Sequence, residues 1–228
     1  MSYDFDWSVI GPALPFLMQG LRTTLILLVA ALSIGVAFGT LLAALRTFGS
    51  KGVAQLAGGY VNFFRSMPLI LTIFWMYFLM PFVLRTVTGN PYLSVGGMWS
   101  GIVALGLAEA AYFCEIIRSG IGSVRGGQLQ AARALGLSTM QSLAFVVLPQ
   151  AFRNMTPALI NETIGLFKDT SLVNVISLND FLSAAGQIGQ RDGRVVEFYL
   201  FAALFYLLVC SAGVALAAVS RRRLTGQA

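Results

Sequence analysis

The sequence lacks histidine altogether, has only two cysteines and carries few charged residues. With no histidine and no CxxC pair, the common ligand sets of protein metal sites are missing, so neither a metal nor another cofactor is expected in this chain. Cys114 and Cys210 fall in or beside apolar segments, where no disulfide is implied. Charged residues make up 11% of the 228 residues, against about 25% in a typical soluble domain. That shortage excludes an ordinary soluble domain.

Hydrophobic residues, in contrast, account for 57% of the chain. The formal net charge of +6 raises the question of nucleic-acid binding, but the basic residues form no patch with interleaved aromatic residues. They recur instead at the ends of apolar segments, as in integral membrane proteins. We therefore predict a protein that lies in a lipid bilayer and binds no nucleic acid.

Five segments are predicted as membrane-spanning helices. Two of them run for 23 residues without a charge, which suffices to cross a hydrocarbon core of about 30 Å. The other three are interrupted by prolines or charged residues. The predicted fold class is all-α, a polytopic membrane protein in which residues 1–228 form a single domain. The predicted spans are residues 23–45, 56–84, 98–119, 149–169 and 198–220.

Three local features qualify these spans. Aromatic residues and prolines between residues 3 and 20 predict a short segment at the membrane interface, where Trp and Tyr are enriched. Pro68 and Pro81 predict a bent or interrupted second span. Gly35 and Gly39 form a GxxxG pattern, which favours ordinary close packing between helices.

The distribution of lysine and arginine predicts the orientation. Of the 15 basic residues, ten lie on one side of the predicted spans and five on the other. The positive-inside rule places the first loop, the central loop and the C-terminus in the cytoplasm, and five spans then leave the N-terminus outside. The ten residues on the cytoplasmic side are Arg46, Lys51, Arg65, Arg118, Arg125, Arg133, Arg153, Arg221, Arg222 and Arg223.

The loop between the third and fourth spans, residues 120–148, is polar, basic and rich in glycine. Residues 128–135 predict a short helix that stops at Gly136, because glycine suits the left-handed position after a helix. Ser138 followed by Gln141 is a capping-box pattern that starts another helix. The loop therefore predicts two short helices at a sharp corner, a geometry that fits either a docking element or a simple connection.

The same loop resembles the cytoplasmic loop of inner-membrane permeases of ABC importers, which carries the pattern E-A-A-x3-G-x9-I-x-L-P. The spacing matches from Gln130 to Pro149, with Gln130 in place of the acid and Val146 in place of isoleucine. In this family the loop is the coupling helix, which an ATPase receives. The resemblance implies an ATPase-docking set consisting of Gln130, Ala131, Ala132, Leu135 and Gly136.

The resemblance extends over nearly the whole chain and points to the polar amino-acid uptake branch of these permeases. It rests on residues 62–69 (NFFRSMPL), 109–121 (EAAYFCEIIRSGI), 148–157 (LPQAFRNMTP) and 168–177 (KDTSLVNVIS). Within that branch, residues 188–193 (IGQRDG) together with Glu197 are most similar to permeases for glutamate and aspartate.

The resemblance implies a type I importer permease of the bacterial inner membrane that has no ATPase site of its own and works by alternating access. Its implied partners are two ABC ATPase subunits, which bind ATP and Mg²⁺, and either a homologous permease or a second copy of this chain. A periplasmic or lipid-anchored binding protein is implied as the source of the amino-acid substrate.

Polar residues within the spans predict where a substrate passes, because ionisable groups in a membrane are costly and usually functional. Five such residues in the fourth span recur at helical spacing and are predicted to share one stripe. Glu109 and Tyr112 of the third span are predicted to complete a water-filled cavity. Glu162, Glu109 or Asp169 would accept from a substrate ammonium, and Lys168 with Asn161 or backbone N–H groups would donate to its carboxylates. The stripe consists of Asn161, Glu162, Gly165, Lys168 and Asp169.

Other interpretations of these residues stay open at this stage. Lys168 and Asp169 also fit an ion pair at the outer interface, and Glu162 a structural contact. Glu115 and Arg118 predict a structural ion pair at the cytoplasmic boundary. The whole chain also fits a self-contained oligomeric secondary transporter or channel for a small polar solute, or a scaffold that anchors a cytoplasmic enzyme.

Overall fold

A computed structural model describes residues 4–124 and 126–225, and this part of the chain consists of helices and the turns that join them, without a strand. Residue 3 of the predicted interfacial segment and Arg125 of the predicted cytoplasmic set lie outside the described residues. The helices are α1 (Ile10–Phe48), α2 (Lys51–Ser66), α3 (Leu69–Thr88), α4 (Gly97–Gly122), α5 (Gly126–Ala134), α6 (Thr139–Ser142), α7 (Leu148–Asp169), α8 (Phe181–Arg191) and α9 (Val195–Thr225).

Five helices in the described part of the chain are long and apolar enough to cross a membrane, which confirms the predicted number. Four of them contain α1, α3, α4 and α9. The fifth runs from Thr139 to Ile176, because α6 continues through a π-helical turn into α7, and a 3-10 turn follows α7. It is therefore considerably longer than the predicted span 149–169.

Helix α4 is the centre of the bundle. In its most apolar stretch 67% of the residues are buried inside the chain, against 28% or less in the other four membrane-length helices. Small residues such as Gly101, Gly106 and Ala110 line its buried surface. Helices in a membrane associate by close packing rather than by escape from water, so small residues at these positions let α1 approach.

Helix α1 packs on α4 through the two glycines of the GxxxG pattern. A Cβ atom on Gly39 would lie 2.8 Å from the carbonyl oxygen of Ala110 and 2.8 Å from the Cβ of Phe113. A Cβ atom on Gly35 would lie 2.9 Å from the Cβ of Glu109. Close helix packing is thereby confirmed as the role of this pattern, and it places Glu109 in the middle of the bundle.

Replacing Gly39 with leucine is expected to lower the thermal unfolding temperature of the purified protein. The new side chain has no room against the α4 backbone, and overpacking of this kind costs about 1–3 kcal/mol. Gly59→Leu in α2 is the matched control, because nothing lies within 4 Å of a Cβ atom at that position. Unfolding temperatures that fall equally in both variants would contradict a specific packing role for Gly39.

The first helix is longer than its predicted span. The sequence predicts an interfacial segment before a helix over 23–45, whereas α1 is continuous from Ile10 to Phe48 and contains Pro15. The reason is tertiary. Ile10 and Leu17 are buried in one cluster with Phe181 of α8, and this contact supports helical structure at positions where local sequence favours a break.

The second predicted span, 56–84, is two separate helices. Met67 and Pro68 adopt extended backbone between α2 and α3, because proline disfavours helical structure in the residue before it. The interruption is therefore confirmed at Pro68, whereas Pro81 stays inside α3. Of the two helices, α3 is the membrane-length apolar one.

The polar region after the fourth span folds into the short, largely buried helix α8. Asp180 caps it by accepting hydrogen bonds from the backbone N–H groups of Leu182 and Ser183, and burial raises the pKa of the Asp180 carboxyl. The Phe181 N–H donates to Thr24 Oγ1 of α1 at 3.1 Å. Helix α8 thus joins α1 and α9 at this end of the bundle.

Candidate functional site

An acidic cavity of about 190 Å³ lies where α4 and α7 face the break between α2 and α3. Glu109, Tyr112, Glu162 and Asp169 line it together. These are four of the seven residues that the sequence assigns to the substrate path. The volume corresponds to about six water molecules at roughly 30 Å³ each, so the cavity accepts a small polar group. Its remaining walls are Phe64, Met67, Leu69 and Ala108.

Glu109 is the most deeply buried acid of this cavity, with 3% of its surface exposed. Its Oε2 atom has no hydrogen-bond partner among the described residues. A buried polar atom without a partner carries a free-energy penalty, and structural acids usually avoid it by pairing. Glu109 therefore offers the cavity an acceptor that is not engaged by the described part of the fold.

The predicted stripe on α7 is split into two faces. Glu162 and Asp169 line the acidic cavity, whereas Asn161 lines a separate pocket of about 210 Å³ between α7 and α9. Lys168 is exposed, and a Cβ atom on Gly165 would meet nothing within 4 Å. Consecutive residues of a helix are about 100° apart, so residues that share a broad stripe still face different neighbours.

The structure supplies no ion pair between Lys168 and Asp169 among the described residues. Asp169 lines the acidic cavity, whereas Lys168 is exposed and does not line it. Asn161 and Lys168 are thus not brought to the cavity as donors for a substrate carboxylate.

Arg65 is the cavity neighbour that the sequence analysis missed. Its guanidinium carbon lies 5.6 Å from the centroid of the Tyr112 ring, a distance at which a cation and an aromatic face attract. From the sequence, Arg65 is one of ten cytoplasmic basic residues and lies in the resemblance segment 62–69, but it is expected only to anchor the interface and not to contact substrate. The available signal was Pro68, because the break that it causes ends α2 beside Tyr112 instead of carrying the helix past it.

Glu115 and Arg118 form the predicted ion pair on α4, with 2.9 Å between Arg118 Nη2 and Glu115 Oε2. The other carboxylate oxygen of Glu115 bonds Arg46 at the end of α1. The pair is therefore confirmed, and the structure extends it into a three-residue network that ties α1 to α4. Glu115 faces away from the acidic cavity and does not line it.

The elbow, residues 126–148, has the local geometry that the sequence predicts. Helix α5 ends at Ala134, and Gly136 follows with a positive φ of 82°. The Leu137 N–H donates to the Ala132 carbonyl at 3.2 Å, and the Gly136 N–H to the Arg133 carbonyl at 3.0 Å. This pair of hydrogen bonds is a Schellman motif, and it sets the sharp corner after α5.

The capping box at the start of α6 is also confirmed. Ser138 Oγ accepts from the Gln141 N–H at 3.3 Å, and the Gln141 side chain accepts from the Ser138 N–H at 2.9 Å. Four of the five predicted docking residues are exposed, namely Gln130, Ala131, Leu135 and Gly136.

Ala132 differs from the other docking residues, because only 4% of its surface is exposed. Its side chain is buried within this structure, whereas those of the other four are on the surface. Large apolar side chains are exposed nearby, with 83% of Leu135, 75% of Met140 and 71% of Phe145 open to the surroundings. Exposed apolar clusters of this kind mark interaction sites.

The segment that resembles glutamate and aspartate permeases lies away from the acidic cavity. Residues 188–193 form the end of α8 and the turn into α9. Glu197 is fully buried, accepts from the Asp6 backbone N–H at 3.3 Å and pairs with Arg194 at 3.2 Å. In this structure the segment fastens the start of the chain to α9, so its position identifies no substrate contact.

Five membrane-length helices, three of which line an acidic cavity together with α2, and a polar elbow define a polytopic membrane protein of the solute-transport class. Residues 35–226 match the family described as binding-protein-dependent transport system inner membrane component. The chain belongs to this family and is an integral protein of the inner membrane.

Named relatives cover almost the whole chain. The glutamate/aspartate import permease protein GltK of Escherichia coli O157:H7 is 45% identical over 221 residues, which are 97% of this chain and 99% of that protein. The arginine transport system permease protein ArtQ of Bacillus subtilis is 34% identical, covering 90% and 91%. A chain in the crystal structure of an amino acid ABC transporter with histidines superposes with a TM-score of 0.86 at 30% identity, covering 98% of this chain and 100% of its own.

Proposed function

We propose that this chain is the membrane-spanning permease subunit of an ATP-driven ABC importer for polar amino acids, with glutamate and aspartate as its substrates. The observation that carries the proposal is the acidic cavity, in which Glu109, Glu162 and Asp169 share about 190 Å³ inside a membrane bundle. The 45% identity to a glutamate/aspartate import permease supports the choice of substrate.

The acidic cavity is suited to the α-ammonium group that all amino acids share. Three carboxylates attract a cation, and the unpartnered Oε2 of Glu109 is available to accept from it. The same carboxylates repel those of glutamate or aspartate, so the substrate carboxylates have to lie on another side. Arg65 lies over the ring of the cavity residue Tyr112, and we assign it the role first given to Lys168 and Asn161.

The elbow is proposed as the docking element for the ATPase. Its exposed apolar residues Leu135, Met140 and Phe145 suit a partner's cleft, and Gln130, Ala131 and Gly136 line the exposed side of the same corner. Two ATPase subunits would receive two such elbows, so a second permease, homologous or identical, completes the pore. ATP and Mg²⁺ then bind to the partner subunits, and this chain carries no ATPase site.

The proposed orientation places the elbow and the C-terminus in the cytoplasm and the N-terminus outside, following the excess of basic residues on the elbow side. The chain then acts as one permease domain. A periplasmic or lipid-anchored binding protein delivers substrate at the outer end. Closure of the ATPases moves the elbow and opens the acidic cavity outward, and ATP hydrolysis returns it.

The proposal is tested by ATP hydrolysis in the complete complex of permeases, ATPases and binding protein in proteoliposomes. Glutamate and aspartate are expected to stimulate hydrolysis and to accumulate inside, whereas arginine is not. Stimulation by arginine but not by glutamate would contradict the proposed substrate.

The same preparation separates the importer from a self-contained transporter. Uptake that continues without ATP while a proton gradient is intact would contradict the importer. The family to which the chain belongs depends on a binding protein, so a self-contained channel or secondary transporter is not favoured.

A further inference from the structure

A second polar compartment lies along α4 on the elbow side of the acidic cavity. Its volume is about 380 Å³, twice that of the acidic cavity. The compartment lies between α4 and α7, and the end of α2 reaches it. We call it the inner compartment, and its polar lining consists of Arg65, Glu115, Arg118, Ser119, Ser123 and Asn154.

The inner compartment carries positive charge. Glu115 is its single carboxylate among the described residues and is already bonded by Arg118 and by Arg46 of α1. With Arg65, the lining holds two guanidinium groups against one carboxylate that is already paired. An excess of cations at a pocket with hydroxyl and amide neighbours favours an anionic ligand group, because charge-assisted hydrogen bonds from guanidinium to carboxylate are among the strong ones.

One hydrogen bond joins α7 to the end of α4 at this compartment, and a second is local to the end of α4. The Asn154 amide donates to Ser123 Oγ at 2.8 Å, and the Ser123 hydroxyl lies 2.7 Å from the Gly120 carbonyl. A Cβ atom on Gly120 would meet Met155 at 2.9 Å, so the two helices also touch closely there. The α4–α7 contact below the two arginines is thus in place before a ligand arrives.

Arg65 and Tyr112 form the wall between the two compartments. Tyr112 lines the acidic cavity, Arg65 lines the inner compartment, and the guanidinium lies 5.6 Å from the ring centroid. Along α4, Tyr112 is about 4.5 Å from Glu109 and about 4.5 Å from Glu115 at 1.5 Å per residue. The Tyr112 ring that Arg65 faces is therefore about one helical turn from Glu109 of the acidic cavity.

We propose that the inner compartment is a carboxylate-binding site, in which Arg65 and Arg118 hold the carboxylate groups of the transported amino acid. The inference rests on the proposed function and extends it. With its ammonium in the acidic cavity, a substrate reaches Arg65 with a carboxylate. As it moves inward, the carboxylate transfers to Arg118 at the base of the elbow. The acidic cavity and the basic inner compartment follow each other along α4. Their opposite charges thus orient a substrate that has one ammonium group and two carboxylate groups.

The site is tested with radiolabelled glutarate, a five-carbon dicarboxylate without an ammonium group, which the acidic cavity repels. Binding is measured by equilibrium dialysis on the permease–ATPase complex in nanodiscs of uncharged lipid, without the binding protein. The complex is expected to bind glutarate, and Arg118→Gln and Arg65→Gln are expected to weaken binding about 10- to 100-fold, as for loss of a charged hydrogen bond. Arg118→Lys is expected to recover part of it.

Arg85→Gln is the control, because Arg85 is exposed at the far end of α3 and donates to the Leu93 carbonyl at 2.7 Å. Unchanged glutarate binding in Arg118→Gln, or equal losses in Arg85→Gln, would overturn the assignment. Loss of glutarate binding in nanodiscs of anionic lipid would also overturn the assignment, since a lipid headgroup would then be the natural occupant. If glutamate stimulates ATP hydrolysis but the complex binds no glutarate, the inner site alone is rejected. If glutamate does not stimulate ATP hydrolysis by the wild-type complex, the proposed function is rejected.

Discussion

Replacing Glu109 with glutamine is expected to abolish amino-acid uptake while leaving the complex assembled. Glutamine keeps the shape of the side chain, so the close contact with Gly35 of α1 is preserved. Removing one partner of a buried charged contact costs about 2–5 kcal/mol, and a factor of ten corresponds to about 1.4 kcal/mol. Uptake by proteoliposomes should therefore fall about 30-fold or more. Copurification of the ATPases checks assembly.

Two further variants distinguish the acidic cavity from the exposed face of α7. Glu162→Ala is expected to lose uptake like the Glu109 variant, because both side chains line the same cavity. Lys168→Ala is the matched control on α7, since its side chain is exposed, and it is expected to retain uptake. If both acid variants take up substrate normally and Lys168→Ala does not, the substrate path lies along the exposed face of α7 instead.

Replacing Leu135 with aspartate is expected to release the ATPase subunits from the permease. The side chain is 83% exposed at the corner of the elbow, so the change does not disturb the packing of the bundle. An apolar anchor of an interface contributes about 2 kcal/mol or more, and a charge in its place adds the cost of burying it. ATPase copurification should be lost, and with it substrate-stimulated ATP hydrolysis.

Gln55→Asp serves as the control for this experiment. Gln55 is exposed on α2, on the same proposed side of the membrane, and the change adds the same negative charge away from the elbow. Two outcomes would argue against the elbow as the docking element. In the first, the ATPases stay bound to the Leu135 variant. In the second, they dissociate equally from both variants. Ala132 is unsuitable for this test, because it is buried and its replacement would distort the elbow itself.

Features that depend on a few neighbouring residues were predictable from the sequence. The left-handed Gly136 and the reciprocal hydrogen bonds of Ser138 and Gln141 are determined within one or two turns of chain. The Glu115–Arg118 pair is another local contact, one turn apart on α4. Each of these was predicted with the correct partners, because no distant element has to be placed first.

Features that depend on helix rotation and on neighbouring helices were not predictable. Asn161, Gly165 and Lys168 share the predicted stripe with Glu162 and Asp169, yet the two acids alone turn toward Glu109. A stripe about 100° wide can face more than one neighbouring helix. Some of its residues therefore face α4 and others face α9. The long α1 likewise depends on a contact with α8 that is remote in sequence.

By itself the sequence determined the membrane class, the five membrane-length helices, the corner of the elbow and the presence of acids within the spans, because composition and short-range hydrogen bonding depend on neighbouring residues of the chain. The tertiary structure alone decided which of those acids meet in the acidic cavity. It also brought Arg65 beside Tyr112 and opened the basic inner compartment next to it. The physical reason is that a cavity is made by the relative rotation and spacing of packed helices, and these follow from contacts such as Gly39 on Ala110 that join distant parts of the chain.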